Sequence, residues 1–384
     1  MPHPQLNRHR LAIKPLQQRR NKLLAERDLR DPDVLPPAAP SFDAKVVGEI
    51  VARTRQARKD GRPVILAFGA HTIKNGLGPV LIRLMEEGWL THLATNGAGI
   101  IHDWEFAFQG ATSEDVKGNV ARGEFGIWQE TGFLINLAIV VGAYEGLGYG
   151  ESVGKMIERE GLEIPGVDVL KAVVAGKTPH PGPLPQGEGG RDGGWERVAA
   201  AADLLGVMEQ FRLQPGWRAI PHPFKRHSAQ AAAFRLGVPF TGHPMFGHDI
   251  IYCHPMNHGA AVGRAAERDF LAFAHSVSRI QEGVYLSVGS AVMSPMIFEK
   301  ALSMAQNLAI QAGEHIDRHY IAVVDLAESR WDWQQQGEPP MDNPAYYLRY
   351  CKTFSRMGGT MRYLCADNRD FLVTLRRKLG RTHP

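Results

Sequence analysis

The residues best suited to chemistry begin where an apolar run ends. The run WLTHLAT (89–95) is followed at once by small residues, then by a histidine and an aspartate. These residues are Asn96, Gly97, Gly99, His102 and Asp103. In an open α/β sheet, ligands bind beyond the carboxyl ends of the strands, and the N–H groups of a following helix suit a phosphate. Two interpretations stay open, a ligand site and a tight strand-to-helix turn, because the G-x-G-x-x-G dinucleotide fingerprint is absent.

A second stretch, HPMFGHDIIYCHPMNH (243–258), concentrates side chains that bind borderline metals. These candidate ligands are His243, His248, Asp249, Cys253, His254 and His258. Their spacing matches neither H-E-x-x-H nor a zinc-finger pattern. A metal-dependent site is one hypothesis, and a loop of polar histidines around the mouth of a ligand site is the other.

The elements that would position these residues alternate between strand and helix. Short buried strands are predicted at RPVILAFGA (62–70) and WLTHLAT, with the helix GLGPVLIRLMEEG (76–88) between them. Further strands are predicted at 282–292, 319–327 and 359–367. This order predicts an α/β fold, with an open, mostly parallel sheet and helices on both faces. We expect a flexible basic tail at 1–40, one domain at 41–380, and a disordered Pro/Gly-rich insertion at 177–194.

Composition narrows the class of protein. The chain has 384 residues, 44% of them hydrophobic, and a net charge of +4. Its first thirty residues carry eight Lys or Arg against two acids, so the basic charge lies in a tail, and we do not expect nucleic-acid binding. Three cysteines without a C-x-x-C pair and the lack of a long apolar run predict a cytoplasmic protein that does not cross a membrane.

Several motifs, taken in order, resemble the deoxyhypusine synthase family from about residue 42 to 380. The first is NGAGIIHD after its strand, and the second is RLGVPFTGHPMFGHDIIYCHP (235–255). VYLSVGSAV (284–292) is similar to the family's glycine-rich strand. YYLRYCKTF (346–354) lies where the family has Trp-Gly-Lys, and YLCAD (363–367) matches its closing Tyr-Ala-Asp.

The resemblance implies a Rossmann-like fold that binds NAD between subunits of a homotetramer. It also implies oxidation of an amine, formation of a lysine imine and transfer of an alkylamine fragment. By resemblance, Lys352 and Asp249 would be catalytic, and His248, Asp332 and Tyr350 would bind substrate. The implied cofactor residues are His71, Thr72, Asn96, Gly97, Gly99, His102, Asp103 and Asp367.

The departures from the family pattern concern the chemistry. Ser294 and Pro295 stand where the family has histidines, one of which assists the hydride step. Tyr346 stands where the family has an acidic residue. In the loop 330–340, Asp332 is the one acidic residue that aligns with the family's Asp-Gly-Ser loop. We therefore predict a divergent NAD-dependent transferase whose substrate is a small amine, such as a polyamine other than spermidine. The alternatives are an NAD-binding protein without this catalysis and a metal-dependent enzyme.

Overall fold

The computed structural model describes residues 3–34, 42–177 and 193–380. Within these ranges the strands are β1 (Asn21–Leu24), β2 (Val64–Phe68), β3 (His92–Thr95), β4 (Ala111–Glu114), β5 (Gly161–Ile164), β6 (Gly216–Ala219), β7 (Phe240–Gly242), β8 (Val284–Val288), β9 (Tyr320–Asp325) and β10 (Thr360–Cys365).

The α-helices of the same ranges are α1 (Ala25–Asp28), α2 (Ala44–Lys59), α3 (Ala70–Lys74), α4 (Gly78–Glu86), α5 (Gly97–Gln109), α6 (Val116–Ala121), α7 (Gln129–Glu145), α8 (Tyr149–Arg159), α9 (Val167–Val174), α10 (Gly193–Phe211), α11 (Ala229–Leu236), α12 (Gly259–Ser278), α13 (Met293–Gln311), α14 (Arg349–Ser355) and α15 (Asn368–Leu379). Short 3-10 helices lie at Arg8–Arg10, Leu16–Gln18, Lys225–His227, Ile250–Cys253 and Pro344–Tyr347.

Six strands form one parallel sheet in the order β10-β9-β8-β2-β3-β7. The chain first builds β2, β3 and β7 outward in one direction and then builds β8, β9 and β10 in the other. This is the 3-2-1-4-5-6 order of doubly wound nucleotide-binding folds, with its switch point between β2 and β8. The predicted α/β class and parallel sheet are confirmed.

Both faces of the sheet are buried, which explains why its strands read as continuous apolar runs. On β2, Val64, Leu66 and Phe68 pack into the larger core, and Ile65 and Ala67 pack into a second core. Helices α2, α4, α5 and α15 contribute to the larger core, and α13 and α14 contribute to the second. Helices therefore cover both faces, as the sequence predicts.

The expectation of a flexible tail at 1–40 is wrong for the part that the structure describes. Residues 3–34 pack against the domain, because β1 pairs antiparallel with β4 and Arg8 donates to the carbonyl of Tyr252 at 2.9 Å. Lys14 pairs with Glu124 at 2.5 Å, and Leu16 is buried. Arg8 and Lys14 thus meet a carbonyl and an acid of the folded domain.

The predicted insertion at 177–194 lies almost wholly outside the described residues. Among the described residues, no single helix is long and apolar enough to cross a membrane. Helices α7 and α8 reach that length and composition only together, and they meet at a bend of 109°.

Candidate functional site

At the switch point, two glycines bring the ends of β2 and β8 together. The N–H of Gly69 donates to the carbonyl of Val288 at 3.2 Å. A Cβ on Gly69 would lie 2.1 Å from the carbonyl oxygen of Gly289, so no larger residue fits. Gly289 has φ +57°, and a Cβ there would meet only the amide of Asn368, at 3.7 Å. The backbone beside β8 is therefore open to a ligand at the place where dinucleotides bind in such sheets.

Beyond β3, the chain turns directly into α5. Asn96 caps this helix, and its side-chain oxygen accepts from the N–H of Gly99 at 2.9 Å. Asp249 packs on the first turn of the helix, where a Cβ on Gly97 would lie 2.1 Å from its Oδ2. The glycine at 97 therefore makes room for a carboxylate that arrives from the loop after β7.

Asp249 is a buried carboxylate with an unsatisfied oxygen. It is 9% exposed, and its Oδ2 has no hydrogen-bond partner among the described residues. Burial raises the pKa of Asp249 to about 6, against the opposing positive field of His248. The hydroxyls of Tyr149 and Tyr252 are also buried without described partners, and the charge of Asp249 adds to the burial that raises their pKa values. Buried polar atoms are normally hydrogen-bonded, so the unpaired carboxylate oxygen makes Asp249 a candidate to bind a donor.

Asp249 opens onto a cavity of about 170 Å³. The structure brings together here three residues predicted from the sequence, His102, His248 and Asp249. The cavity also has four charged lining residues that the sequence analysis did not single out: Arg19, Lys74, Glu105 and Glu114.

A buried ion pair forms the floor of this cavity. Arg19 Nη1 donates to Glu105 Oε1 at 2.6 Å, and both side chains are 1% exposed. The hydroxyl of Thr112 donates to the other oxygen of Glu105 at 2.5 Å and also meets His102 Nδ1 at 2.8 Å. Burial lowers the pKa of His102 to about 4, with a smaller opposing effect of Glu105. His102 is thus a neutral imidazole at physiological pH, held in place by Thr112.

Glu114 is fully engaged by neutral donors. It accepts from the amide of Asn119 at 2.5 Å, from the N–H of Gly126 at 3.1 Å and from the indole of Trp128 at 3.0 Å. Arg19 lies 4.0 Å away. Of the three carboxylates that line the cavity, Asp249 is thus the one with an oxygen that has no partner in the part of the chain described.

The remaining predicted cofactor residues differ in their access to the crevice, the space beyond the carboxyl ends of β2, β3 and β8. His71 is exposed, at the first turn after β2, and burial is the main cause that lowers its pKa. Thr72 is fully buried and accepts from Asn368 at 3.4 Å, so it packs beneath the crevice and is not accessible from it. Gly99 packs against Thr95, whose Oγ1 would lie 2.2 Å from an added Cβ. Asp367 caps α15 at the end of β10 and pairs with Arg369 at 2.9 Å.

Asp103 does not belong to the crevice, which corrects the cofactor role implied for it. It is 1% exposed and accepts from the hydroxyl of Ser228 at 2.5 Å and from the N–H of Ala229 at 2.9 Å. The N–H and the side-chain amide of Gln230 also donate to it. These donors lie at the start of α11, so Asp103 holds α5 to α11 with both of its carboxylate oxygens engaged.

The residues predicted around Lys352 lie at the opposite edge of the sheet from Asp249. Lys352 lies in α14, beside β10, whereas Asp249 follows β7. Asp249 packs against the first turn of α5, at the end of β3, and four strand spacings, roughly 19 Å, separate β3 from β10. One chain therefore does not bring Lys352 and Asp249 into one site.

The surroundings of Lys352 suit a charged lysine. Its Nζ lies 3.6 Å from the ring centre of Tyr346 and 3.8 Å from Glu338 Oε1. Tyr350 is buried, with its hydroxyl 3.5 Å from that of Tyr363. Asp332 is exposed in the loop after β9, lines a separate hollow of about 290 Å³, and accepts from backbone N–H groups of its own loop. A cation–π contact and an ion pair bind an ammonium, whereas an imine requires the neutral amine.

The histidine-rich stretch 243–258 does not converge on a metal. His243 is buried and bonded to Thr241 at 2.9 Å, and His254 accepts from the N–H of Met256 at 3.0 Å. His258 caps α12. Within the described ranges, which include this whole stretch, no three His, Cys, Asp or Glu side chains are grouped so that they could hold a metal ion. The metal hypothesis is therefore not supported by the geometry.

No family model and no curated protein matches the chain. Among solved structures, the chain is similar to ArgZ, an arginine dihydrolase of the ornithine–ammonia cycle in cyanobacteria, at 15% identity over 88% of this chain and 33% of that one, with a TM-score of 0.40. It is similar to a conserved protein of Methanococcus maripaludis S2 assigned provisionally to the LOR/SDH type, at 13% identity over 90% and 73%, with a TM-score of 0.42.

A third similar structure is the ternary complex of AgrE with ornithine and NAD+, at 14% identity over 87% of this chain and 32% of that one, with a TM-score of 0.40. The chain spans about a third of the length of ArgZ and AgrE. Values at this level carry no argument about activity, and membership of the deoxyhypusine synthase family is not shown by them. The function of the site must therefore be inferred from the sheet order and from the contacts within this chain.

Proposed function

We propose that the protein is an NAD-dependent enzyme that oxidises a small amine. One observation carries the proposal: a dinucleotide-type switch point adjoins a cavity that holds a buried carboxylate without a partner. A cationic amine supplies the donors that such a carboxylate lacks, in a charge-assisted hydrogen bond.

The residues at the crevice fit a dinucleotide. Gly289 leaves the backbone open beside the switch point, and His71 and Asn96 lie at the ends of the neighbouring strands β2 and β3. We assign the cofactor contact to these three positions, with Asp367 as a further partner if Arg369 releases it. The chemistry that NAD supplies when bound is hydride acceptance at its nicotinamide ring.

The chain's own groups would bind and orient the amine. Asp249, ionised above about pH 6, holds the ammonium. His102 is neutral and offers an imidazole nitrogen beside it, which makes it the candidate to accept a proton as the amine is oxidised. Ile101 and Phe125 provide apolar lining for the carbon chain.

Calorimetric titration with NAD, and then with a panel of amines in the presence of NAD, tests the proposal. We expect saturable NAD binding near one site per chain, and Asp249→Asn should weaken amine binding by about 10- to 100-fold with NAD binding unchanged. Asp168→Asn, which changes an exposed carboxylate on α9, is the matched control. Lack of NAD binding at millimolar concentration would refute the cofactor assignment.

The finer hypothesis is transfer of an alkylamine fragment, from a polyamine for example, through an imine on Lys352. Because Lys352 and Asp249 lie at opposite edges of the sheet, this transfer needs the lysine of one copy beside the aspartate of another, as in the homotetramer that the family resemblance implies. Mixing inactive Lys352→Ala and Asp249→Asn variants tests it. If each site takes Lys352 from one copy and Asp249 from another, random mixing into dimers should restore about a quarter of the wild-type number of active sites. Mixed oligomers without any recovered activity would contradict the transfer.

A further inference from the structure

The charges that line the cavity are not all engaged with each other. Glu105 is bound by Arg19, Thr112 and Thr131, and Glu114 by its own donors. Asp249 keeps an oxygen without a partner. The cavity therefore has one acidic group that its described surroundings do not satisfy.

The same cavity is lined by two cationic groups, the half-buried Lys74 and the buried Arg19. Lys74, at the end of α3, has no carboxylate within ion-pair distance among the described residues. Arg19 uses Nη1 on Glu105 and Nε on Asn21, and its Nη2 is buried without a described partner. Buried guanidinium nitrogens are normally hydrogen-bonded, and guanidinium is the group best suited to a carboxylate.

We infer that the substrate is an amino acid, whose carboxylate is bound by Lys74 and Arg19 while its amine is bound by Asp249. This inference rests on the proposed amine oxidation and specifies its substrate class. A simple diamine leaves Lys74 and Arg19 unsatisfied and adds positive charge beside them, whereas a carboxylate satisfies both.

The formal charges indicate which amino acids fit best. Two cations and three carboxylates line the cavity, which leaves one negative charge when Asp249 is ionised. An amino acid with a cationic side chain carries one net positive charge and balances it. The cavity of about 170 Å³ is below the roughly 300 Å³ at which pockets for drug-sized ligands begin, which agrees with a small metabolite.

Arg19 gives the N-terminal segment a part in the site. It comes from residues 3–34, which reach the cavity because β1 pairs with β4 and the side chain of Arg19 enters the core beside α5. The segment thus supplies one wall of the cavity.

Pairs of probes that differ by one carboxylate test the inference: L-ornithine against putrescine, and L-lysine against cadaverine, each titrated into NAD-loaded protein. We expect each amino acid to bind at least about tenfold more tightly than its diamine. Lys74→Gln should remove about tenfold of amino-acid affinity and leave diamine affinity unchanged or higher. Lys59→Gln, which changes an exposed lysine at the end of α2, is the matched control.

The outcomes separate the two proposals. Diamines that bind as tightly as the amino acids, with no effect of Lys74→Gln, would overturn the carboxylate inference and leave amine oxidation standing. NAD binding with neither probe bound would overturn both. Because Arg19→Gln can fail to fold, Arg19→Lys is the companion variant, expected to weaken the amino acids alone, and Lys74→Gln remains decisive if Arg19→Lys is unstable.

Discussion

The ion pair between Arg19 and Glu105 is the sharpest test of the N-terminal segment as an integral part of the fold. We consider Arg19→Met, which keeps a long apolar side chain and removes the charge. Glu105 is then left buried, 1% exposed, without its ionic partner. Breaking a buried ion pair at one partner costs about 3–5 kcal/mol of the free energy of unfolding. A basic side chain in a mobile tail would cost less than about 0.5 kcal/mol.

The pH dependence gives this prediction a sign. Burial acts to raise the pKa of Glu105, but the charge and hydrogen bond of Arg19 outweigh it, so the net shift is downward. A lowered pKa in the folded state contributes stability above the unfolded value of about 4.3, and that contribution is lost as the pH falls. In Arg19→Met burial dominates and the pKa of Glu105 rises. The difference in the free energy of unfolding between the wild type and the variant should therefore shrink as the pH falls from 7 towards 5.

Urea unfolding followed by circular dichroism measures both effects. The double variant Arg19→Met/Glu105→Gln should recover part of the loss, because a neutral amide needs no counter-charge and its oxygen still accepts from Thr112 or Thr131. Lys14→Met, whose partner Glu124 is partly exposed, is the matched control, with an expected loss of no more than about 1 kcal/mol. A loss below about 1 kcal/mol for Arg19→Met itself would refute the reasoning.

Three further predictions concern α5 and its neighbours. Amine affinity should rise about tenfold per pH unit up to about pH 6 and level off above pH 7, because Asp249 must be ionised while the ligand ammonium stays charged. A titration series from pH 5 to 8 measures this affinity, and a flat profile would contradict the prediction. Gly97→Ala should weaken amine binding and destabilise the fold by about 1–3 kcal/mol, because its Cβ would meet Asp249; a gain in stability, as helix propensity alone predicts, would exclude the contact. Asp103→Asn should cost about 1–3 kcal/mol of unfolding free energy with unchanged NAD affinity, because an amide donor would face the donors of Ser228 and Gln230; weakened NAD binding in a stable variant would restore a cofactor role.

The sequence predicts the sheet well because burial on both faces produces an unbroken apolar run such as VILAF in β2. Periodicity alone does not show β7, since three residues, Phe240–Gly242, are too few for a pattern, and only the family resemblance of 235–255 indicates a strand there. The expectation of a flexible tail fails for a related reason. Its charged residues suggest solvent, whereas Arg19 finds Glu105 at a separation of 86 positions, and no local pattern reports such a pair.

The candidate site divides in the same way between local and long-range information. Asn96 and Gly97 follow a strand end, and the sequence places them in the crevice. Asp103 points instead to α11, because it lies about 100° around the helix from His102, the preceding residue. The two residues of a His–Asp pair in a helix therefore point in different directions. Only the packing of α11 shows which of them faces the ligand.

The charges of the cavity come from five separate segments: residues 3–34, α3, α5, β4 and the loop after β7. Asp249 lies in a motif that the sequence analysis singles out, but no local pattern marks the other four charges, and Arg19 in particular resembles any other basic residue of its stretch. What distinguishes these residues is that the unsatisfied groups have opposite signs, with Asp249 on one side and Lys74 and Arg19 on the other. A ligand with one charge would satisfy half of this arrangement, and a ligand that carries both satisfies all of it. The specificity of the site therefore depends on the N-terminal segment being docked, because its removal would take away Arg19 and leave Glu105 as a second unpaired acid beside Asp249.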